Sequence, residues 1–202
     1  MKIAIGQIGT DADKTANFAL VAQAVITAAM NHARLILFPE ATMRAFGTGR
    51  LDEIAEPLDG PFVSALAGLA KNYNIAIVVG MFRPADQHVV SGRTINRVYN
   101  TTVAICPDGT VVHYDKIHTY DAFGYRESDT IKPGKNLVTF TYNAVTFGLA
   151  TCYDLRFPQQ FRQLARRGAD IILVPTSWAD GPGKLQQRQL LIRARALDAT
   201  SW

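Results

Sequence analysis

Cys152 stands where a run that reads as a buried strand, Val145 to Ala150, gives way to a segment that reads as an amphipathic helix from Phe157 onward, with Phe161, Leu164 and Ala165 on one face. A sulfur at so sharp a junction is held clear of the backbone, beside N–H groups able to stabilise an oxyanion. Two readings compete on that segment alone. A free cysteine is usually a small, inert, buried hydrophobe; a nucleophilic one needs a base and partners from elsewhere in the chain. Glu40 ends the apolar run Arg34-Leu-Ile-Leu-Phe-Pro-Glu40, so a carboxylate sits at a strand terminus and not on a solvated helix face. Lys116 ends a second short strand in Val111-Val-His-Tyr-Asp-Lys-Ile-His118. Either charge alone is most often a surface group. Both beside strand ends, together with the cysteine junction, point to thiol-based covalent chemistry.

These motifs, in this order, resemble the nitrilase, or carbon-nitrogen hydrolase, superfamily. The resemblance runs from Lys2-Ile-Ala-Ile-Gly-Gln-Ile8 to Leu191-Ile-Arg-Ala-Arg-Ala196, nearly the whole chain. It implies a Glu-Lys-Cys triad of Glu40, Lys116 and Cys152, a further glutamate at Glu127 in Tyr125-Arg-Glu-Ser128, and a four-layer α-β-β-α sandwich with mixed sheets. It also implies that sandwiches pair through the helices following Cys152 and Lys184, giving a homodimer or larger homo-oligomer. Members of the superfamily continue into further strands where this chain reaches Thr200-Ser-Trp202. The expectation is therefore a truncated member or a fragment lacking its last strands, with uncovered apolar sheet surface that adds to association.

What the resemblance implies chemically is hydrolysis of a small linear amide, or a related carbamoyl compound, to acid and ammonia. Cys152 attacks the carbonyl as a thiolate, while Lys116 and the backbone N–H of Tyr153 hold the oxyanion. Glu40 takes the thiol proton, passes it to the leaving ammonia, and then activates the water that cleaves the thioester. Lys116 favours the thiolate and Glu40 disfavours it, so the groups titrate as a coupled unit. Glu127 either holds Lys116 or the substrate, or is an exposed loop carboxylate. Arg156 either reaches a substrate carboxylate with a bidentate contact or pairs with Asp154 to stiffen the turn. Trp178 either lines the pocket or fills the core. His118 is the rival base, or a structural hydrogen-bonding group. The Tyr-Asp-Leu-Arg-Phe-Pro tail of the cysteine motif looks like the amidase branches. Nitrile hydrolysis by the same triad is the alternative, and a non-catalytic binding or interaction module is the reading from a different class.

Composition narrows the field. With 202 residues, 48% of them hydrophobic, the chain is long enough for one substantial core and reads as one domain spanning 1–202. Its 21 basic and 17 acidic residues are interspersed. The densest basic group, Arg162, Arg166 and Arg167, lies on the polar side of the helix after Cys152, so no nucleic-acid partner is expected. Two cysteines make no disulfide framework, which points to a reducing compartment, the cytoplasm. Met1 to Ile8 is too short for a signal peptide. Ala19 to Ala29 falls short of the ~20 apolar residues that cross a bilayer, so no membrane partner is expected. His32, His88 and His113 show no ligand spacing and no Gly-rich phosphate loop occurs, so neither metal nor cofactor is expected.

The elements that must position these residues alternate. Strands are expected at Lys2 to Ile8, Leu35 to Phe38, Ile75 to Met81, Val145 to Ala150 and Asp170 to Val174. Helices are expected at Asp13 to Asn31, with Phe18, Val21, Ala22, Val25 and Ala29 as one stripe and Asp11 or Asp13 as N-cap, at Pro61 to Asn72, and at Lys184 to Ala199. Between Arg93 and Tyr114 a hairpin turns at Pro107-Asp-Gly-Thr110. The class is layered α/β, and periodicity does not choose between one sheet and two.

Overall fold

The computed structural model describes residues 1–122 and 124–202. Ten strands and four helices are seen among them: β1 (Ile3–Ile5), α1 (Lys14–Met30), β2 (Leu35–Leu37), α2 (Pro61–Tyr73), β3 (Ala76–Val90), β4 (Arg93–Ile105), β5 (Val111–Asp115), β6 (Asp121–Ala122), β7 (Tyr125–Arg126), β8 (Val138–Tyr142), β9 (Val145–Leu149), α3 (Pro158–Arg166), β10 (Ile171–Leu173) and α4 (Lys184–Ala199). The strands make two main sheets. The first runs β1-β2-β3-β4-β5, parallel from β1 to β3 and antiparallel beyond; the second runs β10-β9-β8, parallel and then antiparallel. Both sheets are mixed.

Three apolar clusters show how the layers stack. Residues of β3 alternate, as a pleat requires: Ile77, Val79 and Met81 join Val21 and Val25 of α1 and Phe62 and Leu66 of α2. Their neighbours Ala76 and Val78 join Phe140, Phe147, Leu149 and Leu173 of the second sheet. The far side of that sheet packs Ala150, Ile172 and Val174 against Phe161, Leu191 and Ala199 of α3 and α4. The order is thus helix, sheet, sheet, helix. Cys106 is buried between the two sheets, where desolvation first and the nearby Asp108 charge second push its thiol up to about 11.

Local chemistry explains the element ends. Asp13 caps α1 by accepting from the N–H groups of Thr15 (2.8 Å) and Ala16 (3.2 Å). Pro61 begins α2, and Asn74 closes it in the left-handed region at φ 48°. The hairpin at Pro107 to Thr110 forms as expected, Cys106 N–H donating to Thr110 O at 2.8 Å. Two expectations are corrected and one strand is added. The first strand is only Ile3–Ile5. β3 runs on past Met81 to Val90, forming a long hairpin with β4 through the irregular pairing at Pro84/Gln87. β8 was not anticipated and pairs with β9 in a tight hairpin.

Two glycines bring strand ends together. A Cβ at Gly80 would lie 2.7 Å from Ala41 N and 2.8 Å from Pro39 O, so only glycine lets the chain after β2 cross β3 so closely. At Gly134 a Cβ would lie 2.1 Å from Asp115 O, where Gly134 N–H donates to Lys116 O. The backbone of Trp202 hydrogen-bonds along the edge of β10, through Asp170 O and Ile172 N–H. Among the described residues no helix is long and apolar enough to cross a membrane.

Candidate active site

The loop after β2, the end of β5, the turn at Glu127–Asp129 and the turn after β9 converge at one edge of the two sheets, and each delivers a polar side chain. Glu40 and Lys116 are 2% exposed and Glu127 is 4% exposed. The Lys116 ammonium donates to both oxygens of Glu127 (3.0 and 2.9 Å) and to Glu40 Oε1 (3.1 Å). Burial acts to lower its proton affinity, but the charges of Glu40 and Glu127 outweigh that and raise it, so the group stays an ammonium. Glu127 is thus an interior carboxylate, further tied by the Tyr120 N–H to Oε2 at 2.6 Å.

Cys152 opens a short 3-10 turn, Cys152–Arg156, with φ of 46°. A non-glycine residue in that region carries strain, and here the strain turns the chain out of β9. The turn is locked on either side. Thr151 and Asp154 form a reciprocal capping box, Asp154 Oδ2 accepting from Thr151 N–H at 2.8 Å. Cys152 N–H donates to Pro175 O at 3.0 Å. Burial, then the Glu40 charge, push the thiol well above its ordinary value, while Lys116 pulls the other way. Burial and the nearby carboxylate charge thus both favour the thiol form of Cys152, against the pull of Lys116.

The sulfur is reached from a pocket of about 230 Å³ whose lining includes Phe46, Tyr120, Tyr153, Arg156, Trp178 and Lys184 above Glu40 and Lys116. Trp178 both lines this pocket and packs on the outer core cluster. Arg156 lies 5.6 Å from the Tyr153 ring centre and 5.9 Å from that of Trp178, and donates to Gln187 Oε1 at 3.1 Å. The expected alternative, a pair with Asp154, does not form. Asp154 is fully buried and accepts instead from Tyr114 Oη (2.6 Å), from His118 N–H (3.1 Å) and from Thr151, with His118 Nδ1 2.7 Å from Oδ1. His118 also stacks on Phe157 at 3.6 Å, so its ring serves the turn and does not line the pocket.

Sequence reasoning missed two members. Asn100 on β4 is buried beside the carboxylates, its Nδ2 donating to Glu40 Oε1 at 2.7 Å. A polar residue in the β-rich run Val98-Tyr-Asn-Thr-Thr-Val103 was the available signal. Ser177, after β10, donates its N–H to Glu40 Oε2 at 2.9 Å, a backbone contact that no residue type announces. The sheets are stitched at this edge by that bond, by Asp154 and by Thr102 Oγ1 and Thr151 Oγ1 at 2.9 Å. Among the described residues no three His, Cys, Asp or Glu side chains group as a metal site.

Residues 2–202 match the family model described as carbon-nitrogen hydrolase. Hydrolase Rv0480c of Mycobacterium tuberculosis is 44% identical over 205 aligned positions, covering 100% of this chain and 70% of the relative. The deaminated glutathione amidase of Escherichia coli O157:H7 is 31% identical, covering 100% of this chain and 75% of its own length. Among solved structures, the NitN amidase of Nesterenkonia sp. AN1 superposes with a TM-score of 0.81 at 27% identity, covering 100% of this chain and 75% of that one. A glutamate-to-glutamine mutant of the Nesterenkonia amidase shows the result of Michael addition of acrylamide at its active-site cysteine.

The electrostatics of the thiol give a signed expectation. Glu40→Gln removes a charge that holds the Cys152 proton on and leaves Lys116, which favours its loss. The pH midpoint for alkylation of Cys152 by iodoacetamide, followed by peptide mass spectrometry, is expected to move to lower pH in this variant. A midpoint unchanged or moved upward would show that Glu40 does not act on the sulfur.

Proposed function

The chain belongs to the carbon-nitrogen hydrolase family and is a hydrolase of carbon-nitrogen bonds other than peptide bonds; from that premise we propose that it cleaves a small linear amide or carbamoyl compound to acid and ammonia through a thioester on Cys152. The observation that carries this reading is the buried Glu40–Lys116–Glu127 cluster beneath a pocket that opens on the Cys152 sulfur.

An amide carbon is a poor electrophile and its nitrogen a poor leaving group, so the site must activate sulfur, stabilise the oxyanion and protonate the departing nitrogen. Glu40 takes the Cys152 proton as the C–S bond forms, and the developing oxyanion is met by the Lys116 ammonium and the Tyr153 N–H. Glu40 then gives the proton to the nitrogen, the C–N bond breaks, and ammonia leaves a thioester. Water attacks the thioester with Glu40 as base, returning the thiol and releasing the acid. Glu127, with both oxygens on Lys116, holds the ammonium where the oxyanion forms. A pocket of about 230 Å³ suits a short substrate. Arg156, held over two rings at the pocket wall, suits one with a carboxylate at its far end. Two free cysteines, one of them the nucleophile, fit a reducing compartment such as the cytoplasm.

The chain is also proposed to self-associate as a homodimer or larger assembly, through the face of α4 that exposes Leu190 (70%) and, two turns on, Leu197 (81%). Sedimentation across a concentration series is expected to show association that Leu190→Glu weakens. A monomer at every concentration would refute it.

On a panel of short amides, Cys152→Ala is expected to abolish ammonia release while Cys106→Ser, altering a thiol sealed between the sheets, keeps at least about a tenth. Equal losses would count against Cys152, and no release by the unaltered protein from any amide would favour the binding-module reading. On the same panel, Arg156→Met is expected to raise KM about 10- to 150-fold for amides bearing a distal acid, the worth of roughly 1.5 to 3 kcal/mol for a charged hydrogen-bonded contact. Neutral amides should be spared. Equal losses for both sorts would assign Arg156 to packing alone.

A further inference from the structure

We infer that Asn100 is a positioning residue for the proton transfer: it fixes the Glu40 carboxylate so that Oε1 is filled by donors and Oε2 alone is left to take the Cys152 proton. The inference rests on Glu40 as the base.

Asn100 lies in β4 opposite Phe82, 1% exposed. Its Nδ2 donates to Glu40 Oε1 at 2.7 Å and stands 3.4 Å from Glu127 Oε1. Its own backbone carbonyl accepts from the Lys116 N–H at 2.9 Å, so one residue sets both the carboxylate and the strand end that carries the ammonium. Each carboxylate oxygen offers about two in-plane lone-pair positions. Those of Oε1 are used by Asn100 Nδ2 and by Lys116 Nζ at 3.1 Å. Among the described residues Oε2 receives the Ser177 N–H, at 2.9 Å, and keeps one position for the sulfur. Cys152 and Glu40 line the same pocket, and the Glu40 charge acts on the thiol. When the S–H bond breaks, the new O–H bond forms on Oε2, and the charge left on sulfur faces the Lys116 ammonium. A proton on Oε1 would have to displace one of two donors.

The amide's orientation is set by its surroundings. Turned over, Oδ1 would point at two carboxylates. As it stands, Oδ1 is buried without a hydrogen-bond partner among the described residues. Leucine has nearly the same shape and removes the unmatched Oδ1 together with the N–H donor to Glu40, so what asparagine supplies here is that donor. Without that donor, Glu40 is free to turn both oxygens onto Lys116, as Glu127 does, which draws Oε2 off the sulfur.

The test is Asn100→Leu, alone and combined with Glu40→Gln. In the crystal structure of Asn100→Leu, the Glu40 carboxylate is expected to have turned from its present orientation; an unmoved carboxylate overturns the inference, and this arm needs no substrate. In turnover, Asn100→Leu should remain folded, hold KM within about twofold and lose about 10- to 100-fold in kcat, the scale of a misplaced reacting group. In the Glu40→Gln background, it should cost no more than about a further twofold, because it acts through Glu40. The same loss in both backgrounds would assign Asn100 to structure and overturn the inference. If Asn100→Leu does not fold, Asn100→Ala carries the same cycle; failure of both to fold would likewise mark the residue as structural. Absence of turnover in the unaltered protein would refute the proposed reaction and leave the crystallographic arm standing.

Discussion

A cation without water must have anions, and the buried Lys116 ammonium is the constraint around which this end of the molecule is arranged. Removing one partner of such a buried cluster costs roughly 3–5 kcal/mol, because a bare charge is left behind. Glu40 and Glu127 therefore have to arrive from different parts of the chain and at hydrogen-bonding distance. Burial, and then the Glu40 charge beside it, disfavour a thiolate on the neighbouring Cys152, while Lys116 favours one. In the proposed reaction the nucleophile is therefore held as a thiol with its base, Glu40, alongside.

Meeting that constraint shapes the backbone. The loop bearing Glu40 crosses β3 at a contact that excludes any side chain at Gly80, and the segment after Glu127 presses on the Lys116 strand end at Gly134. Cys152 accepts a left-handed conformation so that its turn leaves β9 abruptly. These are local penalties of the kind found where geometry is set by chemistry more than by packing. The three apolar clusters, by contrast, follow from the plain alternation of side chains along the strands.

Much of this was legible in the chain. Strand ends that terminate in Glu40 and Lys116 and the strand-to-helix junction at Cys152 are visible because apolar runs stop abruptly at a functional group. The layered class followed from the alternation of patterns. The second half of β3 was not legible, because Arg83-Pro-Ala-Asp-Gln87 breaks the apolar run that marks its first half. Which strands share a sheet was hidden for a different reason: a period of two describes the two faces of a strand and says nothing about its neighbours. Asp154 was in view as part of the cysteine motif, yet its role as the turn's cap lies in Thr-x-x-Asp spacing that went unread. Asn100 and the Ser177 N–H act through contacts made across 60 and 137 positions of chain, which no local pattern carries.

The fully buried Asp154 has a mechanical meaning as well as a chemical one. It belongs to the turn of the nucleophile in the second sheet, yet two of its partners, Tyr114 and His118, flank Lys116 at the end of the first. Two face-packed sheets held by apolar contact are able to slide a little against each other, since the hydrophobic effect has no preferred direction. Hydrogen bonds do. At this edge directional bonds cross the seam, and they resist sliding of one layer on the other there. Sulfur and ammonium are thereby tied to one another through Asp154, whose contacts span the two sheets that carry them.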